Sequence, residues 1–393
     1  MRHAVFDARW ILPTPSGIGV YARELALRLP GLLPDRRFAF LARPDADAAA
    51  FVPPDAAGRV AVERLPFGPL SPKNQLLLPG LLRRLGADLY HAPNFMVPFR
   101  AFRRGGGGRV RCLATIHDAI PLVVPDYAPA SRTTRLRPLF RLCLREAARR
   151  ADVLFTVSET SRRDLVAALG LGPADAARVR AVPNGVDPAF AAAAEGRPPP
   201  RAADDPATRT LLYVGRSDPY KNVPLLVEAF AAARARAPWP LRLVVAGAPD
   251  PRYPEAAGRA RALGVADAVE FAGSLPFAEL VARYRSADLL VHPSRYEGFG
   301  LQIAEAFAAG LPALCSDGGA VPETAGEAAR VVPLAGGAPA FADAILALLS
   351  DPAELSRLRE AGLRRAALFS WDRAARAIAA AYEPDPPVAA NRP

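Results

Sequence analysis

Lysine is almost missing from this chain. Of 50 basic residues only Lys73 and Lys221 are lysines, so a compact ammonium is kept at just two places in a sequence that otherwise defaults to arginine. Cysteine is scarce as well. Cys112, Cys143 and Cys315 stand far apart, without the pairing of a disulfide framework or the spacing of a metal site, and read as structural thiols. The four histidines are scattered and give no metal-ligand pattern. Half the residues are hydrophobic, yet no apolar run approaches the roughly 18 residues that span a bilayer. The opening Met1-Arg2-His3 leads into a short strand-like run, Ala4–Phe6, and not into the apolar core of a signal peptide, so the expected location is cytoplasmic.

Charge is unevenly placed. Residues 1–200 hold 29 Lys and Arg against 17 Asp and Glu, whereas residues 201–393 hold 21 against 22. The basic half fits an acidic acceptor or an anionic lipid surface. Nucleic acid is a poor fit, because no aromatic stacking residues are interleaved with the arginines. The most basic stretch is Ser131–Arg150, an amphipathic helix expected to be interrupted or kinked at Pro138. Seven arginines there face one glutamate, Glu146. It reads either as a peripheral membrane patch or as a solvated basic face over a packed stripe of Leu136, Leu139, Phe140 and Cys143.

At 393 residues the chain exceeds one ordinary core. Short apolar runs alternate with helical stretches, the mark of α/β architecture with parallel sheets. Seven strands are predicted in the first half: Ala4–Phe6, Phe38–Leu41, Val60–Val62, Asp88–His91, Cys112–Ile116, Val153–Val157 and Val179–Val182. Six follow: Leu211–Val214, Leu241–Ala246, Val269–Phe271, Leu289–His292, Ala313–Ser316 and Arg330–Val332. The expected organisation is a Rossmann-like domain over 1–189, a Pro-rich linker over 190–209, a second Rossmann-like domain over 210–369, a helix over 370–383 capped at Ser370, and a tail over 384–393 begun by Pro384, Pro386 and Pro387.

The richest segment for chemistry runs from Asp288 to Glu323. A strand ending at His292 gives way to a loop with Glu297, Gly298, Phe299 and Gly300, and a helix opens near Leu301 with Glu305 on its first turns. Glycines let backbone amides approach a ligand, and a helix N-terminus favours an anion. A carboxylate beside it accepts hydrogen bonds from hydroxyls. Diphosphate next to sugar hydroxyls is what such a site suits.

Gly215-Arg216-Ser217-Asp218-Pro219-Tyr220-Lys221-Asn222 follows the first strand of the second half, where a doubly wound sheet places its ligand loop. Arg216 and Lys221 could neutralise a leaving diphosphate; ordinary surface placement is the plainer reading of Lys221. Ser16-Gly17-Ile18-Gly19 follows the opening strand, and Gly17 and Gly19 suit either a phosphate-admitting turn or tight packing. His117 ends a strand on the ligand side, able to bond a sugar hydroxyl or to be satisfied locally. His91 and His292 also end strands and read as structural.

In this order the motifs resemble those of the retaining GT-B glycosyltransferases of family 4, the group 1 type, which includes bacterial mannosyl-, glucosyl- and rhamnosyltransferases of polysaccharide assembly. The resemblance rests on Glu297 with Glu305, Gly215-Arg216 with Lys221-Asn222, Thr115-Ile116-His117-Asp118, Thr156-Val157-Ser158-Glu159, Pro183-Asn184-Gly185-Val186-Asp187 and Ser16 to Gly19. It implies two facing Rossmann-like domains with a cleft between them, an acceptor-binding first domain, a donor-binding second domain, and a final helix crossing back. It also implies site residues. Glu305 would bind the donor ribose, Glu297 and the Gly298–Gly300 backbone the transferred sugar, Arg216 and Lys221 the diphosphate with the amides near Leu301. Gly273, Ser274 and Leu275 would meet the base, Gly17 and Gly19 would lie near the donor, and His117 would touch the sugar.

No cofactor or metal is implied; the nucleotide-sugar is a co-substrate, GDP-mannose favoured, and the acceptor a glycan or lipid-linked glycan. Two residues depart from the family pattern: Gln302, where relatives commonly have proline, and Val20, where many have arginine. A sugar phosphorylase or epimerase, and a silent nucleotide-sugar-binding subunit, are the rival readings of the same architecture.

Overall fold

The computed structural model describes residues 2–12 and 16–383. The proposed tail, with Pro384, Pro386 and Pro387, lies outside the described residues. Thirteen strands form two all-parallel sheets. In the first, β1 (Arg2–Asp7), β2 (Arg36–Ala42), β3 (Val60–Arg64), β4 (Leu89–Ala92), β5 (Arg111–Thr115), β6 (Val153–Thr156) and β7 (Val179–Ala181) take the order β3-β2-β1-β4-β5-β6-β7. In the second, β8 (Arg209–Val214), β9 (Leu241–Ala246), β10 (Val269–Gly273), β11 (Leu289–His292), β12 (Ala313–Ser316) and β13 (Arg330–Val332) take the order β10-β9-β8-β11-β12-β13. Every strand expected from the sequence is present, with ends shifted by a residue or two.

Parallel strands are covered on both faces, so they read as continuous apolar runs. Leu211 and Leu212 of β8 show why: one packs with Tyr213, Phe230 and Phe341, its neighbour with Leu290, Ile303 and Phe307, and all are buried. Both sheets reverse their order beside the first strand, between β1 and β4 and between β8 and β11. At such a reversal the loops leaving the two strands diverge and open a crevice at their carboxyl ends. That single topological fact places the candidate site.

The chain divides into two compact units, one of residues 2–119, 136–185 and 371–383 and the other of 120–135 and 186–370. In the first, helix Trp371–Ala380 lies on helix Gly17–Leu32, with Trp371, Ala375 and Ile378 buried in the core that holds Phe6, Phe38 and Leu25. Arg36 donates to the Tyr382 carbonyl at 2.9 Å, and Tyr382 shares a 2.8 Å hydrogen bond with Nδ1 of the fully buried His91. His91 is thus a structural residue, and burial lowers its pKa to about 3, which keeps it neutral.

Two sequence expectations need correction. The segment 190–209 does not begin as a linker: it starts inside helix Pro188–Ala194, whose Phe190 is buried edge-on against Tyr284 and Phe277. An alanine run carries helix propensity enough once one aromatic anchors it. The helix at Ser131–Arg150 breaks at Leu136 into Arg132–Arg135 and Arg137–Arg150, and Pro138 falls in the first turn of the second piece, where its missing N–H costs nothing. No single described helix is long and apolar enough to cross a membrane.

Candidate active site

The loop after β8 and the loop after β11 meet at the second sheet's reversal point. Tyr213 donates its hydroxyl to the Arg216 carbonyl at 2.8 Å, fixing the turn after β8. Asn222 takes a left-handed conformation, φ +58°, and its Nδ2 donates to the Pro293 carbonyl at 3.3 Å. The Arg295 amide donates to the Tyr220 carbonyl at 2.7 Å. These bonds bring Lys221 against Glu297.

Lys221 Nζ donates to Glu297 Oε1 at 2.7 Å, and His292 Nε2 donates to the same oxygen at 2.9 Å. All three side chains are buried. Burial opposes both charges, but the Lys221 charge and the His292 hydrogen bond together hold the Glu297 carboxyl well below the usual range, and Glu297 holds Lys221 protonated. Glu297 Oε2 makes no hydrogen bond to any described residue. The His292 Nδ1 is buried without a partner. His292 therefore does more than the structural role its strand-end position suggested: it orients the carboxylate.

Beyond this trio, Gly300 has φ +90° and precedes helix Leu301–Ala308, so the free amides of its first turn face the same loop. Phe299 packs its ring on Phe369, centroids 5.2 Å apart, which leaves only its backbone to a ligand. Gln302 is half-buried on the first helical turn and leaves the helix start intact. Glu305, one turn on, accepts from the buried Tyr284 hydroxyl at 2.7 Å. Burial raises its pKa to about 7, with Asp187 adding to the rise and Tyr284 opposing it.

Arg216 is largely exposed and pairs through Nε, at 2.7 Å, with the buried Asp218. Its Nη2 lies 2.6 Å from the same carboxylate oxygen. Ser217, Gly247, Asp250, Tyr253, Phe271 and Gly273 line a cavity of about 430 Å³ over the ends of β8, β9 and β10. Gly273 belongs to it; Ser274 and Leu275 do not line it.

In the first unit, Ser16 caps helix Gly17–Leu32 by accepting from the Gly19 amide at 3.1 Å. A Cβ on Gly19 would sit 3.2 Å from the Trp10 carbonyl, so close packing explains that glycine, whereas Gly17 faces open space. Val20 packs against the core and supplies no charge. His117 Nε2 lies 3.0 Å from the Pro93 carbonyl and so carries the hydrogen, leaving Nδ1 as an acceptor. Burial lowers its pKa to about 4, against the Pro93 bond. The ring meets Tyr21 edge-on, centroids 4.8 Å apart. At neutral pH it accepts a hydrogen bond and cannot serve as an acid.

A doubly wound α/β unit with a cationic loop, a helix N-terminus and a buried carboxylate at its reversal point has the layout of the ligand-binding α/β proteins. Comparison with known families agrees. Residues 200–365 match the Glycosyl transferases group 1 family and residues 15–190 match Glycosyltransferase Family 4; the chain belongs to these glycosyltransferases. An MMP alpha-(1->4)-mannosyltransferase of Mycolicibacterium hassiacum is 33% identical over 69% of the chain and 64% of its own length. A D-inositol 3-phosphate glycosyltransferase of Kineococcus radiotolerans is 36% identical over 59% of the chain and 57% of its own. The chain thus spans less than two thirds of these two relatives.

Among solved structures, a sucrose-phosphate synthase of Thermosynechococcus elongatus superposes with a TM-score of 0.73 at 24% identity, covering 97% of this chain and 98% of that one. An Anabaena protein solved with UDP and glucose gives 0.69 at 18% identity over 97% and 99%. At such identities the likeness is one of fold, and that fold is GT-B.

Two measurements follow from this geometry. Lys221→Met should destabilise its unit by about 3–5 kcal/mol, because it leaves Glu297 buried without its countercharge. Lys221→Met with Glu297→Gln should regain most of that loss in urea unfolding, and simple additivity of the two would contradict the pairing. For Glu305 the sign is the reverse of an ordinary salt-bridged carboxylate. The folded chain keeps the proton from the ordinary value of 4.5 up to about 7 while the unfolded chain has released it, so stability falls as pH rises through that window. Glu305→Gln should flatten the fall; an unchanged slope would remove the assignment.

Proposed function

We propose that this protein is a retaining, metal-independent glycosyltransferase that moves a hexose, mannose first among candidates, from a nucleoside-diphosphate sugar to a hydroxyl of a glycan or lipid-linked glycan. The observation that carries the reading is the buried Lys221–Glu297–His292 trio beside the Gly300 helix start. Lys221, Arg216 and the amides after Gly300 would take up the charge of the leaving diphosphate, the largest electrostatic demand of the reaction. Glu305 would accept both ribose hydroxyls, and the cavity lined by Phe271 and Gly273 would hold the base. Glu297 Oε2 and the backbone of Gly298–Gly300 would hold the sugar. Retention follows from attack on the face the leaving group departs from, with a donor phosphate oxygen taking the acceptor proton.

The mannosyltransferase named among the relatives supports mannose, and the UDP and glucose bound in the Anabaena neighbour support a nucleotide-sugar donor in general. GDP is the base favoured by the motif set. Calorimetry with GDP, UDP, dTDP and ADP and their sugar conjugates, with EDTA present, checks the reading: tight binding of one nucleotide family is expected, GDP first. Folded protein that binds none would favour a silent subunit. Turnover that needs phosphate, or no acceptor, would favour a phosphorylase or an epimerase.

The location fitting this function is the cytoplasmic face of a membrane. Leu76 and Leu77 on helix Lys73–Arg84 and Leu136, Leu139 and Leu142 around helix Arg137–Arg150 are each more than half exposed. Exposed Lys73, Arg83, Arg84, Arg137 and Arg141 stand among them. Both helices flank the loop after β4, through Gln75 to Val97 and Phe140 to Phe95. Leucines that sink into lipid contribute about 1.5–3 kcal/mol each at full burial, and each arginine near an anionic surface about 1 kcal/mol. Co-sedimentation with anionic vesicles, weakened by salt and by Leu139→Ser with Leu142→Ser, is expected. Equal sedimentation with neutral vesicles would remove the arginines from the binding, and none with either would contradict a membrane location.

A further inference from the structure

The strand that carries the donor loop at one end begins, at the other, with an arginine buried in a cavity. Arg209 opens β8, about 17 Å from the strand's far end at 3.3 Å per residue. It is 1% exposed, and its guanidinium lies over the Trp239 ring, 5.5 Å from the centroid. Its Nη2 donates to the carbonyls of Ala202 and Asp205. Its Nε and Nη1 are buried and have no hydrogen-bond partner.

Around it is a cavity of about 290 Å³ lined by five arginines, Arg197, Arg201, Arg209, Arg285 and Arg359. Only two carboxylates answer them, and both are engaged. Asp288 Oδ2 accepts from the Thr210 amide at 2.7 Å while Oδ1 lies 3.3 Å from Arg201 Nε. Asp205 Oδ1 accepts from the Ala207 amide at 2.9 Å, and Oδ2 lies 3.6 Å from Arg201 and 3.9 Å from Arg209. Arg197 spends its donors on the carbonyls of Tyr284, Arg285 and Ala287, and Arg359 on those of Arg197 and Pro198. Carbonyl oxygens satisfy hydrogen bonds without cancelling charge. Three positive charges are left over in a partly enclosed space. Burial and then the nearby Arg359 lower the pKa of Arg197 to about 10, as expected where guanidinium groups crowd without a counter-ion.

We propose that this cavity binds a phosphate-type oxyanion, which pairs with Arg209, Arg201 and Arg285 and fastens the connector 197–205 to the sheet. Planar guanidinium donors around a confined space suit a tetrahedral dianion better than they suit water, which brings no charge. The site is remote from the donor loop, and the inference is independent of the transferase reading.

Inorganic phosphate is the probe, titrated into the full chain by calorimetry and by thermal unfolding, with ionic strength held constant with chloride. Binding and a rise in Tm are expected. Arg285→Ala, which changes an exposed side chain with no hydrogen bond in the fold, should weaken binding about tenfold, the loss of one charge-assisted contact. Arg209→Met should abolish it if the variant folds. Lys221→Met should leave it unchanged, which separates this site from phosphate held in the donor loop. Absence of heat and of any Tm shift would overturn the proposal, with water then filling the cavity. So would binding that survives Arg285→Ala but is lost in Lys221→Met.

Discussion

The buried ion pair between Lys221 and Glu297 is the interaction on which the site depends. Placing two charges where water is excluded costs several kcal/mol per ion, and the cost is offset only by close geometry and further hydrogen bonds. Here both conditions hold: one carboxylate oxygen receives the ammonium at 2.7 Å and an imidazole at 2.9 Å. The pair joins the loop after β8 to the loop after β11, so the same contact that orients the cation also closes the reversal point of the sheet. A chain that uses arginine nearly everywhere keeps lysine there because the pocket admits a compact charge and not a planar fork. In the proposed reaction the second Glu297 oxygen and the helix amides after Gly300 would face the donor.

The electrostatics of the unit divide by end of sheet. At the carboxyl ends of the strands, cation and carboxylate alternate: Arg216 with Asp218, Lys221 with Glu297, and Glu305 held near neutrality beside Tyr284. At the amino ends, arginines outnumber their partners. The first end sets charges of both signs side by side. The second offers charge of one sign.

Most of the architecture could be read from the sequence because parallel strands leave an unmistakable trace, runs such as Leu243–Ala246 that are apolar and buried on both faces. The reversal-point loops were legible for a related reason: Gly215, Gly298 and Gly300 stand where a strand must turn at once into a ligand loop. Partners distant in sequence were not legible. His292 looks like any strand-end histidine until Glu297 turns back upon it. Tyr284 and Glu305 meet because the helix ending at Ser286 and helix Leu301–Ala308 both pack on helix Pro188–Ala194. Helix Pro188–Ala194 hid in a linker-like composition, since the burial of Phe190 depends on Tyr284 and Phe277, some 90 residues away. The arginine cavity was hidden for the same reason, its members coming from three segments, around 197–209, at Arg285 and at Arg359.

Lys221, set by Glu297, would read the second phosphate of a nucleotide. The direct measurement is calorimetric affinity for a nucleoside diphosphate and for the matching monophosphate, in the native chain and in Lys221→Met. The account predicts a preference for the diphosphate of about 1.5–3 kcal/mol, typical of a hydrogen bond to a charged group, that disappears in the variant while monophosphate affinity holds. A preference that persists without Lys221 would contradict it and leave the helix amides and Arg216 as the phosphate site.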